Sequence, residues 1–74
     1  MIRYKNFSGK SNVYAYEYGI DYIKVQFSNA NSSVYVYTYQ SAGRDNVEQM
    51  KILAVRGNGL NSFIQQYVRY LYVK

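Results

Sequence analysis

Two stretches place tyrosine at every second position, Tyr14-Ala15-Tyr16-Glu17-Tyr18 and Tyr35-Val36-Tyr37-Thr38-Tyr39, and the segment between them, Tyr22-Ile23-Lys24-Val25-Gln26-Phe27, alternates in the same way. Neighbouring side chains of a strand point to opposite faces, so a period of two predicts strands. They cover about Ser11 to Tyr18, Asp21 to Ser28 and Ser33 to Tyr39. The connections Tyr18-Gly19-Ile20-Asp21 and Asn29-Ala30-Asn31-Ser32 are too short for crossovers, which makes the three strands an antiparallel meander. In the first connection, glycine is expected to supply unusual backbone angles. Residues 1–10 are polar and irregular, with a turn at Phe7-Ser8-Gly9, and read as a poorly structured or edge segment.

Past residue 44 the period lengthens. Asp45-Asn46-Val47-Glu48 has the form of a capping box, and Arg56-Gly57 the form of a helix end, so a helix is expected between them with Val47, Met50, Leu53 and Ala54 inward. Leu60, Phe63, Ile64, Tyr67, Val68 and Leu71 recur at spacings of three and four, with Asn61, Gln65, Gln66 and Arg69 on the polar side. Two helices do not readily cover both faces of so small a sheet, so both pack on one. The expected fold is α+β, a three-stranded antiparallel meander followed by two helices on one face (βββαα), with residues 1–74 forming a single domain.

Which face the helices cover decides what the tyrosines do. Burying Val13, Ala15, Ile23, Val25, Phe27, Val34 and Val36 contributes about 1.5–3 kcal/mol per large aliphatic side chain and avoids burying rows of hydroxyls. Tyr14, Tyr16, Tyr18, Tyr22, Tyr35, Tyr37 and Tyr39 then share the open face with Lys24 and Gln26. The reverse holds on a strand whose tyrosines pass their hydroxyls out to the rim. An open phenol face stacks on flat ligands. It also serves as cross-strand pairing within the sheet, or as a homodimer interface.

Composition narrows the chemistry. Without histidine or cysteine the chain lacks the commonest general base, the commonest metal ligand and any thiolate. Glu17 and Asp21 flank a turn, but no nucleophile or cofactor motif accompanies them, so the expectation is a protein that is not an enzyme and uses no cofactor. Gly57-Asn58-Gly59 beside Arg56 could form a phosphate-binding nest, but it lacks the Lys-Ser/Thr of a P-loop and reads first as a helix end followed by a tight turn. Apolar runs are far shorter than the ~20 residues of a membrane span, and residues 1–6 lack the apolar core of a signal peptide, so a cytoplasmic protein is expected. Nine Lys and Arg against four Asp and Glu give a net charge of +5, which suits an anionic partner and equally serves solubility.

Val34-Tyr35-Val36-Tyr37 after Val25-Gln26-Phe27, the opening Ser11-Asn12-Val13, and Gly59-Leu60-Asn61-Ser62-Phe63-Ile64 with Tyr67-Val68-Arg69 resemble the KTSC domain. That family is named for the C-terminus of some lysyl-tRNA synthetases and also occurs as short stand-alone proteins in bacteria and phages. Its central Tyr-x-Tyr is matched by Tyr35-Val36-Tyr37, over a resemblance covering roughly residues 11 to 70. Many members carry a proline after that strand, where this chain has Gln40-Ser41-Ala42-Gly43. The resemblance implies RNA binding through the synthetase association. Its phage-borne members imply a second role, a small protein that sequesters a host nucleotide signal or blocks a host factor in the host cytoplasm.

Together these features lead to the expectation of a non-catalytic binding module for RNA, single-stranded nucleic acid or a nucleotide. Its expected ligand-binding residues are Tyr14, Tyr16, Tyr22, Lys24, Tyr35, Tyr37, Tyr39, Arg56 and Arg69. Tyrosine–base stacking is worth about 1–3 kcal/mol per base, with cations at the rim positioning phosphates. The alternative is a phage or bacterial interaction protein whose tyrosine face holds a second copy or a protein partner.

Overall fold

Four short strands form one antiparallel sheet in the order β1-β2-β3-β4: β1 (Ile2–Arg3), β2 (Val13–Tyr18), β3 (Tyr22–Phe27) and β4 (Val34–Thr38). The structure, a computed structural model, describes residues 1–28 and 33–74, so the loop expected at Asn29–Ser32 lies outside the described residues. The class is α+β. β1 adds an edge strand to the expected meander, pairing Ile2 with Tyr16 and Arg3 with Ala15.

The expected face assignment holds for Val13, Ile23, Val25, Phe27 and Tyr22 but is overturned for Tyr16, Tyr18, Tyr35, Tyr37, Val34 and Val36, and a bulge in β2 is the first reason. Val13 pairs with Phe27 and Ala15 with Gln26, so Tyr14 is an extra residue and the alternation of β2 changes phase there. Beyond it, Tyr16 stands opposite Val25 and Tyr18 opposite Ile23. In β4, Tyr35 stands opposite Val25 and Tyr37 opposite Ile23. Directly paired residues share a face, so Tyr16, Tyr18, Tyr35 and Tyr37 lie on the Ile23–Val25–Phe27 side. Val34 and Val36, paired with Gln26 and Lys24, lie on the other. Ile23 and Val25 are fully buried beneath the helices, and Tyr37 retains only 1% of its surface. A phenol ring carries far more apolar area than a valine, and on the last strand of the sheet its hydroxyl has a short path to the rim.

The strand ends one residue earlier than the alternation implies. Thr38 caps the short helix α1 (Tyr39–Ala42): its Oγ1 accepts from the Ser41 N–H at 3.0 Å, and Ser41 Oγ accepts from the Thr38 N–H at 2.9 Å. The capping box is therefore here and not at Asp45. Helix α2 (Arg44–Arg56) starts after Gly43 with no side-chain cap, and Asp45 stands in its first turn, where it still favours the helix dipole. Its buried stripe is Val47, Met50 and Ala54, with Leu53 partly buried against it.

Two glycines are fixed by their neighbours. Gly19 does not supply a left-handed turn as expected; a side chain there would fall 2.3 Å from the Tyr22 ring. Gly57 ends α2 with φ 79°, and its N–H donates to the Leu53 and Ala54 carbonyls. Its own carbonyl accepts from the Phe7 N–H at 2.9 Å, and a Cβ at this position would lie 2.7 Å from Lys5 Cβ. Gly57→Ala is expected to lose about 1–2 kcal/mol to the left-handed backbone alone, and more to that contact. Thermal unfolding should show a midpoint lower by at least about 4 °C.

The last helix, α3 (Leu60–Phe63), runs directly into a π-helical turn, Ile64–Val68. Leu60, Ile64 and Val68, each four residues apart, are its buried positions. The 3-and-4 spacing read from the sequence is corrected accordingly: Phe63 is only partly buried, Tyr67 is 55% exposed, and Leu71 lies beyond the helix. The following segment turns back along β4, where the Val73 N–H donates to the Val36 carbonyl at 2.7 Å. Among the described residues no helix is long and apolar enough to cross a membrane.

Candidate functional site: an aromatic groove beside the terminal helix

Between the far end of the helix-covered sheet face, the π-helical turn and the returning C-terminal segment lies a groove of about 270 Å³. Phe27, Tyr35 and Tyr37 supply its sheet wall, Ile64, Gln65 and Arg69 its helix wall, and Tyr70 and Tyr72 close it. The rings form a connected set. Tyr35 meets Phe27 edge-on at 5.6 Å between centroids and Tyr72 at 4.6 Å, and Tyr72 meets Tyr37 edge-on at 6.3 Å. Such contacts hold rings in fixed orientations, so the walls are set before any ligand arrives. The π-turn puts Gln65 and Arg69 on the groove side, where it brings an amide and a guanidinium to an aromatic lining. Helix interruptions of this kind are frequent at functional sites.

Arg69 is the cation of the groove. Its guanidinium lies over the Tyr70 ring at 5.2 Å, and among the described residues no carboxylate lies within ion-pair distance of it. A guanidinium stacked on a ring keeps its planar fork free for an anion. Burial, and after it the neighbouring Tyr35 and Tyr72 phenols, push the Tyr37 hydroxyl up to about 12. Tyr37 is thus neutral and a hydrogen-bond donor throughout the physiological range.

The groove gathers Tyr35, Tyr37 and Arg69 from the nine expected site residues. The others are dispersed. Tyr16 is buried in the core and stacked with Tyr18 at 6.3 Å, on the covered face and not on an open one. Tyr14, Tyr22 and Lys24 lie outside the groove: Tyr14 under the Arg3 guanidinium at 4.3 Å, Tyr22 with Lys24 Nζ 5.9 Å from its ring, and Lys24 paired with Glu17 at 3.6 Å. Arg56 sits in the last turn of α2. Gln65, Tyr70 and Tyr72 were missed. Gln65 followed from no alternation, while Tyr70-Leu71-Tyr72 repeats the alternate-tyrosine pattern and was the signal that could have found both rings.

Tyr39 is committed elsewhere. Its hydroxyl donates to Glu48 Oε2 at 2.6 Å, and Lys51 Nζ donates to the same oxygen at 2.7 Å and to the Ile20 carbonyl at 2.9 Å. The cluster ties α2 to the β2–β3 turn. The Lys51 bond first, and the Tyr39 bond next, hold the Glu48 carboxyl below its ordinary 4.5, while the bond to Glu48 raises the Tyr39 phenol. A carboxyl lowered in the folded state stabilises above its unfolded pKa and loses that contribution as pH falls. Chemical denaturation below pH 4.5 should therefore show the protein losing more stability with acid than Glu48→Gln does.

No protein-family model, curated protein or solved structure matches the chain.

Proposed function

We propose that the protein is a non-catalytic binding module that takes an unpaired base of RNA or single-stranded nucleic acid, or a nucleotide, in the aromatic groove, and that it acts in the cytoplasm, the host cytoplasm if the gene is a phage's. The observation that carries this is an arginine without a carboxylate partner among the described residues, at the mouth of a groove lined by Phe27, Tyr35, Tyr37, Tyr70 and Tyr72. Of these, Tyr35, Tyr70 and Tyr72 keep surface on which a base can stack, and the guanidinium meets its phosphate. The net charge of +5 draws such ligands in, and the resemblance to the KTSC domain points the same way. Absence of catalysis fits the commitment of Glu48 to Tyr39 and Lys51, and of Glu17 to Lys24.

Titration with RNA and single-stranded DNA oligonucleotides at two salt concentrations tests the proposal, since phosphate contacts weaken steeply with salt. No binding of either at low salt ends it. Arg69→Ala is expected to weaken binding at least tenfold. Loss of an exposed cation–ring contact removes about 0.5–1 kcal/mol, so the thermal midpoint should stay within a few degrees. A large drop in the midpoint would make Arg69 structural and remove it from the site.

A second reading, an interaction protein that holds a copy of itself or a protein partner, is favoured by one feature. Tyr67, Tyr70, Leu71 and Val73 are all exposed around the same helix end. Tyr37 is buried and probes no surface, so the informative variant is Tyr70→Ala. Light scattering after size exclusion should find a dimer broken by that change if this reading holds, and an unchanged monomer if the groove serves a ligand.

A further inference from the structure

Resting on the groove's role as a base-binding site, we infer that its ligand is a single nucleotide unit, a free mononucleotide or one terminal or looped-out residue, and not a continuous track of bases. The groove's size is the first reason. At about 270 Å³ it falls just under the range of roughly 300–1,000 Å³ typical of small-molecule sites, which suits one ring system and one anionic group. Its ring set is the second. Tyr72 contacts both Tyr35 and Tyr37, so the rings gather at one place, whereas a strand needs rings spaced along a path for successive bases.

The third reason is where the other cations stand. Arg69 is the charged residue that lines the groove, and Lys74 lies beyond it, 5.8 Å from the Tyr72 ring. Lys24 is paired with Glu17 outside the groove, Lys51 is bonded to Glu48 and the Ile20 carbonyl, and Arg3 lies over Tyr14. Lys74 lines an adjoining hollow with Tyr70 and Tyr72, so among these residues the cations at the groove are Arg69 and Lys74, too few to carry a backbone onward. Gln65 beside Arg69 offers an amide N–H and an amide carbonyl to the edge of a ring lying against the tyrosines.

The test is a titration of the full chain with each of the four ribonucleoside 5′-monophosphates and with single-stranded oligonucleotides of increasing length, over a range of salt. The expected result is at least one monophosphate binding within about tenfold of the best oligonucleotide. Its affinity should fall only weakly with salt, through screening of one phosphate–guanidinium contact, and not with the steep slope that counterion release from a strand gives. Arg69→Ala should weaken that monophosphate at least tenfold, and Lys24→Ala should leave it unchanged. Oligonucleotides that bind ever more tightly with length while monophosphates do not bind would overturn the single-unit ligand and leave nucleic-acid binding standing. A monophosphate lost on Lys24→Ala and kept on Arg69→Ala would move the site out of the groove. If neither ligand class binds at low salt, the base-binding role falls with the inference.

Discussion

Tyr37→Ala is expected to leave the protein unfolded at room temperature, while Tyr37→Phe folds and resists alkali better than the parent. The ring is 1% exposed, packs among Ile23 and the helix residues of the core, and meets Tyr72 edge-on. Truncating a buried aromatic side chain to alanine costs about 3–5 kcal/mol, and a core in a chain this short rarely supplies more than that. The hydroxyl behaves differently. Its pKa rises from 10.0 to about 12 in the folded protein, because burial and then the Tyr35 and Tyr72 phenols disfavour the phenolate. The unfolded chain therefore ionises first. Stability is unaffected well below pH 10, declines as pH rises from there toward about 12, and by then has lost on the order of 2 kcal/mol through this group. Tyr16 and Tyr39 are raised as well and act in the same direction. Urea unfolding just below pH 10 and again near pH 12 isolates the Tyr37 share as the difference between parent and Tyr37→Phe. Equal alkaline losses in the two proteins would place the hydroxyl in solvent and contradict the buried ring.

β2, β3, β4 and α2 were legible because they rest on periodicity, which is local, whereas β1 and α1 are too short to show a period. Period two marked β2, β3 and β4 to within two residues, and Arg56-Gly57 marked the end of α2. The faces were not legible, because a face depends on register and register on the partner strand. An extra residue at Tyr14 flips the rest of β2, and nothing within Val13-Tyr14-Ala15-Tyr16 announces it. Aliphatic-in and tyrosine-out is sound energetics for one strand taken alone. In β4 the pairing of Ile23 with Tyr37 and Val25 with Tyr35 overrides it, and the bulky rings fill space beneath the helix that valines would leave empty. The candidate site was legible in part for the same reason. Tyr35, Tyr37 and Arg69 were picked for their chemistry and do converge, but on the covered side and from the rim. Arg69 belongs to the groove through a π-turn, which has no sequence signature of its own, and Tyr72 through a chain reversal held by the Val73–Val36 hydrogen bond.

That π-turn sets the other large expected effect. A helix of uniform α period from Leu60 onward would turn Phe63, Tyr67 and Leu71 toward the sheet together with Ile64 and Val68, and Phe63→Ala would then be as damaging as any core truncation. In the structure Ile64 is 1% exposed and Val68 fully buried, whereas Phe63 packs at the edge of the core and against Tyr67 at 4.8 Å. Ile64→Ala is therefore expected to cost about 2–5 kcal/mol, enough to unfold most of the population. Phe63→Ala should cost clearly less, because part of its surface already faces water and the cavity left behind opens to solvent. Ile64 also lines the aromatic groove, so a partly folded Ile64→Val variant should lose about 0.5–1.5 kcal/mol and slacken the wall that carries Gln65 and Arg69. Denaturant unfolding of Ile64→Ala, Ile64→Val and Phe63→Ala orders the three. If Phe63→Ala proves the most destabilising, the helix continues in α phase through residue 68, and Arg69 then turns away from the groove.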